Sequence, residues 1–351
     1  MHTQDTTGRR AGSTAPAAST DGRDPQELLS VRSLGVEIRT GGETIDIVRD
    51  VSFDVRRGET VAILGESGSG KTMTGHAVMG ILDTPPAYVS AGSVLFQGRD
   101  LLTLPRRERR EVCGRNIGMV FQDSLSALNP VFSVGFQIAE LFRKRQGASR
   151  RKADAKAAEL LDLVEIPNAR RRLRDYPHQF SGGMRQRVMI AMAIALEPDL
   201  LIADEPTTAL DVTIQAQIMD MLARLCDERQ MGLILITHDL GVVSEFADRI
   251  ILMYAGRVVE SSSAAALFTA SAHPYSRALL ESVPKLADQH SGLKVIPGSP
   301  PDPRDVGPGC SFAPRCSHAV PACLAGVPPT LQVAPDHLSA CLFAEEVVAH
   351  A

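Results

Sequence analysis

The stretch "GESGSGKT", Gly65 to Thr72, has the residue types and spacing to cradle a chain of phosphates. It matches Gly, four variable residues, then Gly-Lys-Ser/Thr, and it follows the apolar run "VAIL". Gly65, Gly68 and Gly70 let backbone N–H groups converge on phosphate oxygens, with Glu66, Ser67 and Ser69 between them. A helix N-terminus behind the loop adds its positive end. Lys71 then reaches the terminal phosphates and the Thr72 hydroxyl becomes a Mg²⁺ ligand. A second acid-bearing stretch, "LLIADEP", sets Asp204 and Glu205 directly after an apolar run. Carboxylates at the carboxyl end of a buried strand stand where α/β sheets bind ligands. Asp204 suits the metal, and Glu205 suits a water attacking the γ-phosphate.

Two more polar residues close apolar runs. His238 ends "LILITH" and Gln122 ends "GMVFQ". Taken singly, either serves structure as readily as chemistry. Their common place at strand ends makes His238 a contact to the γ-phosphate and Gln122 a ligand of metal or water. Ser181-Gly182-Gly183 opens a long apolar helix and has the form of another anion site. It brings no lysine and no metal ligand of its own.

The elements that must hold these residues read as an α/β fold. "SVRSLGVEIRT" and "VRDVSFDV" alternate, as strands exposed on one face do. "TVAIL", "DLLIADE" and "GLILITH" are continuous apolar runs alternating with helical stretches, which argues for a parallel sheet covered on both faces. "RIILMYAGRVVE" reads as a hairpin around Ala255-Gly256. The expected division is a disordered tail over 1–25, a nucleotide domain over 26–265 with a helical insertion at about 128–180, and an extension over 266–351. "IPGSPPDPRDVGPGC", rich in Pro, excludes helix and central strand there.

The net charge of −4 does not point to nucleic acid. No apolar run approaches the ~20 residues of a membrane helix, and the first residues lack the apolar core of a secretory signal. The expected location is cytoplasmic, with any membrane span supplied by another chain. The basic runs "PRRERREVCGR" and "RKRQGASRRK" lack interleaved aromatics and read as solvated helical faces.

Taken together, the chain resembles the ATP-binding subunits of ABC transporters from about Leu28 to Ser263. The motifs that carry this are the phosphate loop Gly65–Thr72, Gln122, "FSGGM" at Phe180–Met184, "LLIADE" at Leu200–Glu205, "ALD" at Ala209–Asp211, and His238, in that order. The resemblance implies an ABC-type P-loop fold: a RecA-like parallel core, an antiparallel β subdomain and an inserted helical subdomain. It implies ATP hydrolysis with Mg²⁺, with Lys71, Gln122, Glu205 and His238 as catalytic residues. It also implies a head-to-tail pair of such domains. Ser181, Gly182 and Gly183 would then serve the ATP held by the other domain, and Asp211 the contact between them. Two features depart from the family's pattern. Met184 stands where Gln is usual. "RTGGETIDIVRD" offers no aromatic for adenine, leaving Ile45 or a neighbouring aliphatic.

Finer stretches resemble the oligopeptide/dipeptide importers: "LNPVFSVGFQIAE" (Leu128–Glu140), Thr237–Glu260 and "HPYSRALLESVP" (His273–Pro284). Met184 is typical of one of the two ATPases these importers use. The resemblance therefore implies a second ATPase subunit, two transmembrane permeases, an extracytoplasmic binding protein, and peripheral attachment at the cytoplasmic face. The segment Ser133–Glu140 is where permeases dock in that family. Peptide is the expected solute. The alternatives are an importer of nickel or another small solute, a soluble ABC ATPase and an inert regulatory subunit. The absence of tandem nucleotide domains weighs against the soluble class, and the intact catalytic set against the inert one.

Four of the six cysteines crowd the end of the chain, at C-x5-C-x6-C-x17-C spacing, as Cys310, Cys316, Cys323 and Cys341. This is not the close pairing of common zinc sites, and four thiolates suit an iron–sulfur cluster. Members of the family with this tail hold a 4Fe-4S cluster, so the resemblance implies one here. Zinc is the alternative, with His318 and His337 as spare donors.

Overall fold

The computed structural model describes residues 26–123, 127–282 and 295–349. The expected tail over 1–25 and the end of the His273–Pro284 stretch lie outside them. β1 (Glu27–Thr40) and β2 (Glu43–Arg56) form a hairpin whose two-residue turn, Gly41-Gly42, has φ of 59° and 86°. Both values need the left-handed region that glycine supplies and that a tight hairpin demands. β1 also pairs with β4 (Ala87–Phe96), and β4 with β5 (Arg99–Asp100), giving an antiparallel sheet in the order β2-β1-β4-β5.

The second sheet carries the site. Its parallel part contains β3 (Thr60–Leu64), β6 (Ile117–Val120), β7 (Leu200–Asp204), β8 (Gly232–Ile236) and β9 (Arg249–Tyr254), in the order β9-β3-β8-β7-β6. β6, β7 and β8 are buried at every residue, which is why they read as unbroken apolar runs rather than alternating ones. β10 (Arg257–Ser263) returns antiparallel to β9 through Ala255 and Gly256, at φ 45° and 83°.

α1 (Lys71–Met79) follows the phosphate loop, and α2 (Arg106–Cys113) is the first basic run, with Arg107 and Glu111 paired on its solvent face. The helical insertion holds α3 (Val134–Gln146), capped by the Ser133 hydroxyl, and α4 (Arg150–Leu163). α5 (Gly182–Ile194) buries Val188, Ile190, Ala191 and Ile194 against β7, α6 (Val212–Arg229) and both insertion helices. Arg187 locks this junction. Its Nη1 donates to the Val164 carbonyl at 3.0 Å and to Glu165 at 2.9 Å. α7 (Leu240–Phe246) begins just after β8 and is capped by Asp239.

Beyond Ser263 lie α8 (Ala264–Ala270) and α9 (Pro274–Glu281). Residues 295–312 carry no helix or strand, as their prolines demand. The chain then makes a tight turn at Ala313–Arg315, α10 (Pro321–Ala325), β11 (Leu331–Ala334), β12 (His337–Ser339) and α11 (Ala344–Ala349). β12 pairs with β10, so the last strands prolong the sheet that carries the site. Among the described residues no helix is long and apolar enough to cross a membrane.

Candidate active site

Three parallel strands, β3, β7 and β8, end side by side, and the site grows from the residues just past each strand end. After β3 comes Gly65, at φ 154°. A Cβ there would run into the Met253 carbonyl oxygen, so only glycine permits the loop to start so close to β9. The loop wraps to Gly70, at φ 98°, which N-caps α1. Lys71 Nζ donates to the Gly65 carbonyl at 2.7 Å and the Glu66 carbonyl at 2.9 Å. Burial pushes Lys71 down, against the opposing pull of Glu205, Asp204 and Glu66.

β7 delivers the two acids differently. Asp204 is buried and its Oδ1 accepts from the Thr72 hydroxyl at 3.1 Å. Burial raises its pKa, more than the Thr72 bond and His76 lower it. Glu205 takes φ 44°, a left-handed value unusual outside glycine, and this turns its side chain towards the loop. Three neighbours hold that carboxylate. Thr208 Oγ1 donates to Oε2 at 2.7 Å, Gln122 Nε2 donates to Oε2 at 3.0 Å, and His238 Nδ1 stands 3.0 Å from Oε1. Burial pushes Glu205 up, but the Thr208 and His238 bonds, with the charges of His238 and Lys71, outweigh it. The carboxyl lies below its ordinary value.

These residues share one cleft of about 620 Å³, lined by Gly65 to Thr72, Gln122, Glu205 and His238. The strand-end residues predicted from the sequence thus converge, with Asp204 one contact behind, through Thr72. The cleft joins a polyphosphate cradle, a base held by three neighbours, and a hydroxyl paired with a carboxylate. Such a set can bind a nucleotide and activate water against its last phosphate.

Ser181, Gly182, Gly183 and Asp211 do not line this cleft. Ser181 is exposed and caps α5 by accepting from the Met184 N–H, while Asp211 is exposed and caps α6 by accepting from Ile214. Close approach of an anion was the reason the sequence suggested for both glycines. The structure adds a packing reason for one of them. A Cβ on Gly183 would meet Ile214 Cγ2 at 2.6 Å, whereas one on Gly182 would make ordinary contact with Leu210 at 3.5 Å. Met184 packs against the core between the helices.

Several site residues escaped the sequence reading. Of Ile45 and its neighbouring aliphatics, it is Ile47 that lines the cleft, with Leu64 and Leu279. Ile45 pairs with Ile38 nearer the hairpin tip, about 7 Å further along the strand. Thr208 carried a signal, since a hydroxyl three residues beyond an acid can turn back to it. Leu279, Tyr275 and Arg315 come from beyond residue 263; the first two lie in the His273–Pro284 stretch, but nothing local ties any of the three to the cleft.

The terminal cysteines come within electrostatic reach of one another. Burial pushes the thiols of Cys310, Cys316 and Cys341 up, the last to about 11, and the neighbouring cysteines of the set add to it. Among the described residues, however, no group of three or more His, Cys, Asp or Glu can hold a metal ion. His337 is no spare donor. It is buried, with Nε2 2.8 Å from Glu260 Oε1. A buried carboxylate needs such partners, and the imidazole is committed to it.

Comparison with known proteins agrees with this geometry. Residues 48–208 match the family described as ABC transporter, and residues 259–323 match the oligopeptide/dipeptide transporter C-terminal region. A protein of Brucella melitensis, whose name carries the words peptide import ATP-binding protein, is 47% identical over 335 residues, covering 92% of this chain and 99% of its own length. The oligopeptide transport ATP-binding protein OppD of Mycobacterium tuberculosis is 51% identical over 323 residues, covering 91% of this chain and 52% of its own. Among solved structures, a dimeric post-hydrolysis state of the ATP-binding cassette MJ0796 bound to ADP and Pi superposes with a TM-score of 0.60. It is 30% identical and covers 68% of this chain and 99% of its own.

Proposed function

The chain belongs to the ATP-binding proteins of ABC transporters, with the C-terminal region of the oligopeptide/dipeptide branch, and from that premise we propose that it hydrolyses ATP to power the import of peptides. The observation that carries the chemistry is the carboxylate of Glu205, facing the phosphate loop with three side chains fixing its direction. The peptide assignment rests on the C-terminal region and on the names of the relatives.

In this reading the loop N–H groups and Lys71 bind the β- and γ-phosphates. Lys71 exchanges the Gly65 and Glu66 carbonyls for phosphate oxygens. Glu205 accepts a proton from the attacking water, while Thr208 and Gln122 hold it in line. His238, in contact with Glu205 and largely exposed, is the group that meets the γ-phosphate side of the cleft. Thr72, Asp204 and Gln122 would hold Mg²⁺. The donor set fits: a hydroxyl, one carboxylate and an amide oxygen leave room for phosphate and water ligands, as Mg²⁺ prefers. Bound there, the ion offsets phosphate charge.

Ser181, Gly182 and Gly183 serve the ATP of a second ATPase subunit, and Asp211 the contact between the two. What supports this is that all four stand outside their own chain's cleft, with Ser181 and Asp211 exposed and the two glycines half-buried, and the dimeric state named for the similar cassette. An ABC importer ATPase works under membrane permeases. The docking place we assign is Ser133–Glu140 with the two residues before it, where Val131 is 71% exposed and the Phe132 and Phe136 rings stack in the open at 4.8 Å. An exposed aromatic pair straddling the start of a capped helix is an anchor seeking cover. The second ATPase is a different chain, the assembly lies at the cytoplasmic face of the membrane, and an extracytoplasmic binding protein feeds it. Residues 266–351 act as an extension of the nucleotide domain over 26–265.

The test is a gentle-detergent pull-down from native membranes with mass spectrometry. Two permeases, a second ATPase and a binding protein with bound peptide are expected. Co-purification with ribosomes or DNA instead would leave only the ATPase chemistry standing.

For the cysteines we propose the 4Fe-4S cluster. Backbone N–H groups already point at the sulfurs, from His318 to Cys316 and from Phe343 to Cys341, both at 3.4 Å. The thiols lie within electrostatic reach of one another, and four thiolates at wide spacing suit a cluster better than the close pairs of common zinc sites. Anaerobic reconstitution of the full chain with iron and sulfide should load about four irons and give broad visible absorption. Cys316→Ser should lower the loading by more than about half. Preferential, stoichiometric zinc uptake would exclude the cluster.

A further inference from the structure

Glu66, the second residue of the phosphate loop, lines the cleft, and its carboxylate is tied to a side chain 249 residues away. Arg315 meets it with a two-pronged grip. Nη1 lies 2.6 Å from Oε2 and Nη2 lies 3.1 Å from Oε1. The guanidinium also donates to the Tyr254 hydroxyl at 3.1 Å and, through Nε, to the Pro297 carbonyl at 2.9 Å. It lies over the Tyr254 and Phe312 rings at 5.8 and 5.9 Å. Its side chain is only 6% exposed. The Glu66 backbone is held from the same side, since its N–H donates to the Tyr275 hydroxyl at 3.0 Å. One residue of the loop is therefore fixed at both backbone and side chain by the segment beyond residue 263.

We propose that Arg315 is a positioning residue of the nucleotide site: it cancels the Glu66 charge at the rim of the phosphate loop and so lets a polyphosphate enter. The charges around the cleft make the need plain. Glu66 and Glu205 line it and Asp204 stands behind, against the single lysine Lys71. A triphosphate meeting an uncompensated Glu66 would be repelled at short range, where screening by salt is weak. A planar guanidinium gripping both oxygens compensates that charge and fixes the carboxylate's direction. Arg315 directly precedes Cys316, so the folding of the cysteine-bearing segment and the affinity of the phosphate loop are joined by one residue. This inference rests on the reading of the cleft as an ATP site.

The experiment is calorimetric titration of the full chain with ATP, ADP and adenosine. Arg315→Gln should weaken ATP about tenfold, ADP less, and adenosine by less than twofold, because the repulsion scales with phosphate charge. Adding Glu66→Gln should restore ATP affinity to within about twofold of wild type, since the pair acts as a unit. If Arg315→Gln does not fold, Glu66→Gln alone decides. It leaves the Arg315 charge beside the phosphates and should tighten ATP about threefold more than adenosine. Equal losses for ATP and adenosine, no rescue by Glu66→Gln, or unchanged ATP affinity in either single variant would overturn the proposal while wild-type binding keeps the site assignment. Absence of ATP binding by the wild-type chain would overturn both.

Discussion

Replacing Glu205 with Gln is expected to slow ATP turnover by roughly 10²–10⁴-fold while ATP still binds. Of the two carboxylates that line the cleft, Glu205 is the one aimed by three neighbouring side chains. Gln has the same shape, keeps one acceptor for Thr208, and cannot take a proton. The loop, Lys71 and Thr72 are untouched, so binding survives. Phosphate release and nucleotide retention, measured on the assembled complex, check this. Turnover near the wild-type rate would remove Glu205 from its role. The direction of its pKa adds a second readout. Because the Thr208 and His238 bonds hold Glu205 below its ordinary value despite burial, the base stays ionised through mild acid. The acid limb of turnover attributable to Glu205 should therefore lie below the usual carboxylate range.

Glu260→Ala is expected to cost about 3–5 kcal/mol and to loosen the C-terminal strands from the sheet. Glu260 sits on β10 with its side chain fully buried. It accepts from the Ala272 N–H at 2.8 Å, the His273 N–H at 2.9 Å and the Ser276 hydroxyl, and His337 on β12 completes the set. One carboxylate thus joins β10, the start of α9 and β12. Truncation leaves three buried donors and an imidazole without their acceptor, and each is penalised for desolvation. Hydrogen exchange at His337–Ser339 and the Tm of the full chain measure it. Unchanged protection of β12 would sink the idea. Next to this hub, burial pushes His273 down to about 4 from 6.5. Its Nδ1 accepts from the Tyr275 N–H, which requires the neutral ring. Between those two values the unfolded chain binds one proton more than the folded one. Stability from this group is therefore complete above about 6.5 and declines as pH falls towards 4.

Much of the site was legible because its signals are local. The phosphate loop, the acids after "LLIA" and His238 after "LILIT" each join a motif to the end of an apolar run, and in a parallel sheet those ends must lie on one edge. Gln122 was found by the same rule. Ser181 was visible as a polar residue opening a helix, and it does cap it; that Asp211 caps α6 was not read from the sequence. Side-chain choice among neighbours was not legible. Ile45 and Ile47 share one face of β2 by period, and only the position of the hairpin tip selects Ile47. His337 looked like a free donor because Glu260, its partner, is 77 residues away.

By itself, then, the amino-acid sequence determined the sheet, the phosphate loop, the acid pair and the family, since these depend on periodicity and on residues within a few positions of each other. Only the tertiary structure decided which distant groups meet: Arg315 with Glu66, Tyr275 with the loop backbone, Ile214 against Gly183, and Glu260 with His337. Apart from the Ile214–Gly183 contact, these depend on how the segment beyond residue 263 packs back onto the sheet. That packing is set by summed burial over many residues, and no short stretch of sequence encodes it.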